Sequence, residues 1–144
     1  MPSHKILIFL DTNVLFSALY SGKGSAGLIL DYFIDGRIEV VFSQQVLEEV
    51  IRNMKVKLPA ALPVFRNLLL DNPPKIIENP SSKEVMQWAE YINFDDAGIL
   101  ASAFAVQPDY LVTGDKHFLD NHQIAMKSGL QIVTPTQFLQ AFRY

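Results

Sequence analysis

The chain has 144 residues, 49% of them hydrophobic, and a formal charge of −3 from 12 basic and 15 acidic side chains. That length suits one compact domain with its own core, and the charge argues against a protein that grips nucleic acid through a broad basic surface. With no cysteine, disulfides, thiolate metal sites and cysteine nucleophiles are excluded, so any metal would sit on oxygen or on histidine nitrogen. No basic leader precedes a removable apolar segment, and no apolar run approaches the roughly 20 residues needed to cross a bilayer. The expectation is a soluble, cytoplasmic protein with no membrane partner, folded as a single domain over residues 1–144.

In chain order, KILIFL (5–10) is a continuous apolar run stopped by Asp11, as expected of a strand buried on both faces. VLFSALY (14–20) begins a helix that SGKGS breaks, and AGLILDYFIDG supplies a second helix closed by Gly36. IEVVFS (38–43) reads as the next strand, with Ser43 capping a helix in QQVLEEVIRNMKV. LPAALPVFRNLLLDNPP holds a short helix between prolines, and KIIE a brief strand. Ser81 and Glu84 have capping-box spacing ahead of a helix in SSKEVMQWAEYI, and DDAGILASAFAV forms a stronger one. YLVT (110–113) is a short strand, and LQIVTPTQFLQAF a last strand and helix, with Thr134, Pro135 and Gln137 in cap, first-turn and N3 positions. Strand and helix alternate with short connections. This predicts a three-layer α/β/α sandwich around a mainly parallel sheet, with its site at the carboxyl ends of the strands.

Acids recur at those ends. Asp11 follows the first strand and Asp115 follows YLVTG, so both project from one sheet edge. Asp95 and Asp96 open a helix, and Glu48 and Glu49 lie in the first turns of another. Singly, each has a structural explanation: Asp11 as a cap, Asp95 and Asp96 as partners of a helix dipole, the two glutamates as a solvated face, Asp115 as a turn residue. Together they predict at least four carboxylates in one cleft, where like charges resist joint ionisation unless a cation compensates them. An all-oxygen donor set, with His117 and His122 the only nearby histidines, favours hard ions such as Mg²⁺ or Mn²⁺ and points towards phosphodiester hydrolysis.

FLDTNVL, FSQQVLEEV, DDAGILASA and YLVTGDKHFL stand in an order that resembles the PIN-domain family of metal-dependent ribonucleases, over residues 5 to about 136. YSGKGSAGLIL further resembles the VapC-like members described as toxin components of toxin–antitoxin systems. The resemblance implies Asp11, Glu49, Asp96 and Asp115 as catalytic metal ligands, with Glu49 preferred to Glu48 because it lies six residues after Ser43. Asn13 and Thr113 become supporting residues, Asp95 a neighbour or cap, and Asp109 a structural acid. It also implies one or two Mg²⁺ or Mn²⁺ ions, an RNA substrate, an antitoxin protein and a homodimer. Lys116 and Lys23, with Arg52 or Lys55, are candidates for the substrate backbone.

Two other classes compete. A Mg-dependent small-molecule phosphatase would use Asp11 as nucleophile, but such enzymes resemble D-x-D and position 13 is Asn13. A non-catalytic RNA- or protein-binding module is disfavoured by the intact acids. Trp88 and Tyr91, three apart in MQWAEYINF, mark a candidate partner surface, whereas Met86, Phe104 and Phe118 are expected in the core.

Overall fold

The apolar run before Asp11 becomes the central strand of a five-stranded sheet. A computed structural model of the protein describes residues 5–142. Strands β1 (Leu7–Leu10), β2 (Glu39–Ser43), β3 (Lys75–Ile77), β4 (Tyr110–Val112) and β5 (Ile132–Val133) are ordered β3-β2-β1-β4-β5, and every neighbouring pair is parallel. The expected α/β sandwich with a parallel central sheet is what the chain adopts. Ile8, Phe9, Val41, Leu111 and Val112 are each fully buried, which is why these strands read as continuous apolar runs rather than alternating ones.

The helices are α1 (Thr12–Ser21), α2 (Gly24–Ile34), α3 (Gln44–Lys57), α4 (Leu62–Asp71), α5 (Ser82–Ala89), α6 (Phe94–Val106), α7 (Lys116–Leu119), α8 (His122–Ser128) and α9 (Pro135–Phe142). A 3-10 turn over Pro59–Ala61 leads into α4. From β1 the chain steps outward to β2 and β3, then crosses to the other side of β1 for β4 and β5. Right-handed crossovers running in opposite directions put helices on opposite faces. The reversal leaves a crevice between β1 and β4 at their carboxyl ends, where Leu10 is in register with Val112.

The helix starts follow from side-chain caps. Asp11 accepts from Thr12 N–H, Ser43 from Val46, Ser81 from Glu84 within a complete capping box, and Thr134 from Gln137. Gly22 ends α1 at φ 64°, a left-handed conformation that glycine adopts without strain.

Several expectations need correction. α1 and α2 start earlier than their apolar stretches, at Thr12 and Gly24. The cap of α6 is Asn93, which accepts from Asp96 N–H, and not Asp95. Helices α7 and α8 occupy a stretch for which no element was expected. Tyr91 lies beyond α5, and Trp88 is buried edge-on against Phe104 with ring centroids 5.2 Å apart, so the pair forms no exposed flank. Phe118 is a core residue as expected, whereas Met86 is exposed.

Candidate active site

The carboxyl end of β1 delivers Asp11 into the crevice, because its N–H continues the β1–β4 ladder with a 3.1 Å bond to Val112 C=O. Its side chain is held at both oxygens. Thr12 N–H donates to Oδ1 at 2.7 Å, and the buried Thr113 hydroxyl donates to Oδ2 at 2.7 Å. The same Thr113 oxygen accepts from Asp115 N–H at 3.0 Å, so one hydroxyl sets the spacing between the ends of β1 and β4. Asp115 then caps the short α7 by accepting from His117 N–H at 2.9 Å.

The other two acids come from helices. Ser43 starts α3 at the end of β2, and α3 packs against α1 so that Glu49 meets its first residue: Thr12 Oγ1 donates to Glu49 Oε1 at 2.6 Å, and Gln45 Nε2 donates to Oε2 at 3.2 Å. Asn93 both caps α6 and grips its acid: Oδ1 accepts from Asp96 N–H at 3.0 Å and Nδ2 donates to Asp96 Oδ2 at 2.6 Å. Asp11, Asn13, Glu49, Asp96 and Asp115 line one cleft of about 250 Å³ together with Arg52 and Asn53.

Electrostatics follow from this geometry. Burial pushes the Asp11 carboxyl up to about 6, against the hydrogen bonds from Thr113 and Thr12, and the charges of Asp96 and Asp115 push the same way. Burial also raises Asp96, with the Asn93 bond opposing it and the Asp115 charge adding to it. His117 relieves some of this strain: its Nδ1 lies 3.5 Å from Asp115 Oδ1 and 3.6 Å from Asp96 Oδ2. Asp96, Asp115 and His117 each present a ligand atom within 4.8 Å of the others, a donor set of carboxylates and one imidazole that fits a divalent cation such as Mg²⁺ or Mn²⁺. Asp11 and Glu49 lie outside that tight trio but face the same cleft.

The structure thus brings Asp11, Glu49, Asp96 and Asp115 together, with Asn13 on the rim and Thr113 beneath. Glu48 and Asp95 line a neighbouring cleft instead. Lys116 and Lys23 are exposed and take no part in lining the acidic cleft; Arg52 does. Sequence reasoning passed over Asn93, Gln45 and Asn53, and it named His117 only as a nearby histidine outside an all-oxygen donor set. His117 and Asn93 had a readable signal. His117 stands two residues after Asp115, where an Asx cap places the next turn, and Asn93 stands three residues before Asp96, the N-cap-to-N3 spacing.

Acids converging at the switch point of a doubly wound parallel sheet define an α/β protein with a carboxylate-rich cleft whose donors suit a divalent cation. Residues 7–117 match the PIN-domain family model, and the chain belongs to that family. A search of curated proteins gives no significant match. Among solved structures, VapBC2 from Rickettsia felis, bound to a DNA fragment from their promoter, is similar with a TM-score of 0.64 at 19% identity, covering 90% of this chain and 98% of that one. FitAcB from Neisseria gonorrhoeae gives 0.62 at 18% identity, covering 89% and 97%. PAE2754 from Pyrobaculum aerophilum gives 0.62 at 20% identity, covering 96% and 91%. At these identities the likeness speaks for the fold.

Proposed function

We propose that the protein is a Mg²⁺- or Mn²⁺-dependent ribonuclease that hydrolyses RNA phosphodiester bonds in the cytoplasm as the toxin of a toxin–antitoxin pair. The observation that carries this reading is the convergence of Asp11, Glu49, Asp96 and Asp115, from four separate elements, on one cleft. In this reading the four acids are the ligands, joined by His117, whose Nδ1 faces Asp96 and Asp115. A bound divalent ion would supply a Lewis acid for the phosphate and an activated water.

The protein's own groups do the positioning. Thr113 and Thr12 fix both oxygens of Asp11, while Thr12 and Gln45 fix those of Glu49, so neither acid needs to reorganise when a charge arrives. Arg52, on the cleft wall one turn from Glu49, is placed to meet a phosphate oxygen, and the amides of Asn13 and Asn53 offer neutral donors beside it. An antitoxin partner and a homodimer are part of the same proposal. The antitoxin is supported by fold similarity to VapBC2 and to FitAB, the latter solved on an IR36 DNA fragment and matching with a TM-score of 0.65. Among the described residues no helix is long and apolar enough to cross a membrane.

The test is cleavage of mixed-sequence single-stranded RNA by purified protein with Mg²⁺, Mn²⁺ or chelator, beside Asp11→Asn and Asp96→Asn. Metal-dependent cutting lost in both variants is expected. Cutting that survives in both variants, or in chelator, overturns the assignment.

A further inference from the structure

A second cleft of about 380 Å³ adjoins the acidic one, and the two share Glu49 and Arg52 as a common wall. Anything threaded past the acids therefore continues between α3 and the start of α6. Two side chains of this second cleft are unexplained by the acid site, and a third serves both clefts. Phe94, the first residue of α6, turns its ring outward with 65% of its surface exposed. Glu48, one turn before Arg52 on α3, faces the same space. Gln45 is laid flat beneath, with Nε2 donating both to Glu49 Oε2 and to Asp95 C=O at 3.0 Å. Gly98 makes that arrangement feasible, since a Cβ there would stand 2.5 Å from Gln45 Oε1. The cleft stays open because α6 has no side chain at that point.

From these we infer that the second cleft is a nucleobase subsite, which holds the base next to the scissile phosphate and favours bases carrying an exocyclic amino group over uracil. This rests on the ribonuclease reading above and adds the recognition of a base to it. The chemistry is complementary on three sides. Phe94 offers a π-face, and stacking on an aromatic ring is the sequence-tolerant part of single-strand binding. Glu48 is an acceptor only, so it rewards amino-group donors; guanine meets it with two adjacent donors on its Watson–Crick edge, while the one ring N–H of uracil is flanked by carbonyl oxygens. Asn79 spends its Oδ1 on Gln45 N–H at 2.8 Å, which leaves its amide N–H₂ as the donor for a base carbonyl. Arg52, shared between the clefts, spans from phosphate to base. A site for phosphate alone would not put Glu48 and Asp95 on its walls; a base edge tolerates them.

The experiment uses the full chain and four fluorescein-labelled single-stranded RNA oligomers, each mostly uridine with one central G, A, C or U. Binding is read by anisotropy on the Asp11→Asn protein with Mg²⁺, and cut positions are read on the otherwise wild-type enzyme. The subsite predicts tightest binding and preferred cutting beside G and weakest beside U. Phe94→Ala should weaken binding of the G oligomer roughly ten-fold, the scale of one stacked base, and Phe94→Trp should restore it. Glu48→Gln should narrow the gap between the G and U oligomers in both affinity and cutting. If the enzyme cuts but Phe94→Ala and Glu48→Gln leave affinity and cut positions unchanged, the subsite is overturned and the nuclease stands. If the wild type neither binds nor cuts any of the four, both readings fall; if it binds without cutting, the ribonuclease reading falls and the response to Phe94→Ala still decides the subsite.

Discussion

The β1–β4 strand pair carries an aspartate at each end, and the two do opposite things. At the amino end, Asp109 Oδ2 accepts from Leu7 N–H at 2.8 Å, tying the start of β1 to the residue before β4 across 102 positions of sequence. At the carboxyl end, Asp11 is tied to Thr113 across the same separation, yet it sits among Asp96 and Asp115 and is pushed up to about 6. Hydrogen bonding as such does not separate them, since both carboxylates accept bonds and Asp11 does so at both oxygens. The company does: an acid bonded to backbone at the edge of a sheet is a clamp, whereas an acid desolvated beside other acids stores charge for a ligand to neutralise.

The largest effect expected is at Asp11. Asp11→Asn should lower RNA cleavage on the order of 10²–10³-fold, the usual loss when one charge-stabilising group is removed from a transition state. The same change should raise the stability of the metal-free protein at pH 7.5 by ~1 kcal/mol, because removing a buried charge outweighs the one accepted bond that is lost, asparagine having a single acceptor oxygen for Thr12 N–H and the Thr113 hydroxyl. The sign can be checked by pH. The carboxyl of Asp11 is raised in the fold, so its contribution to stability is fully present below about pH 4 and is lost as pH climbs through about 6. Thermal melts of the two proteins in chelator should therefore converge as pH falls from 7.5 to 4. Asp109→Ala should behave in reverse, with ~1–2 kcal/mol of stability lost through the unpaired Leu7 N–H and unchanged activity per folded molecule. A wild type that melts above Asp11→Asn in chelator at pH 7.5 would break the contrast.

Adding the ion should invert the order. At a Mg²⁺ or Mn²⁺ concentration about 100 times its dissociation constant, the wild type should gain ~2.7 kcal/mol and Asp11→Asn much less. Because the ligands must be ionised, titration calorimetry should show proton release on binding and affinity falling below about pH 6, the level to which Asp11 is raised. Affinity independent of pH between 5 and 7 would place the ion elsewhere.

Thr113→Val sharpens the same point with a neutral residue. It keeps the shape of a buried side chain but removes the donor to Asp11 and the acceptor for Asp115 N–H. Expected are a loss of ~1–3 kcal/mol and a 10–100-fold drop in metal affinity, the scale for a residue that orients ligands. A stability loss with unchanged affinity would reduce Thr113 to a structural link.

How much of this was legible in the sequence depended on the length of the signal. The strands and Asp11 were readable because a two-sided buried strand is a run of apolar residues and its polar stop marks the sheet edge. Ser81 and Glu84 were readable because a capping box has fixed spacing. Helices α7 and α8 were not. With four and seven residues they are too short for an apolar period to show, and they exist because Asp115 and Asn121 cap them and Phe118 and Ile124 are pulled into the core. Trp88 misled for a related reason. An aromatic on an amphipathic helix looks the same in sequence whether its face meets solvent, a partner or the chain's own Phe104. Which of the candidate basic residues enters the cleft could not be ranked from sequence: Lys116 adjoins Asp115 in the chain, but Arg52, named beside Lys55, is the one that lines the acidic cleft.

Two neighbouring caps give the smallest and cleanest contrast. Ser81 caps α5 and, among the described residues, its side chain hydrogen-bonds within its own capping box, whereas Asn93 caps α6 and also donates to the Asp96 carboxylate. Ser81→Ala and Asn93→Ala should each lower stability by about 1 kcal/mol, the ordinary worth of an N-cap. Only the second should affect cleavage. Losing the Nδ2 donor removes the bond that holds Asp96 towards ionisation, so metal affinity should weaken and its pH dependence should move upward while the Ser81 variant keeps the wild-type profile. Equal activity in both variants at matched folded fraction would mean that Asp96 is positioned by α6 itself and that Asn93 is no more than the helix's first hydrogen bond.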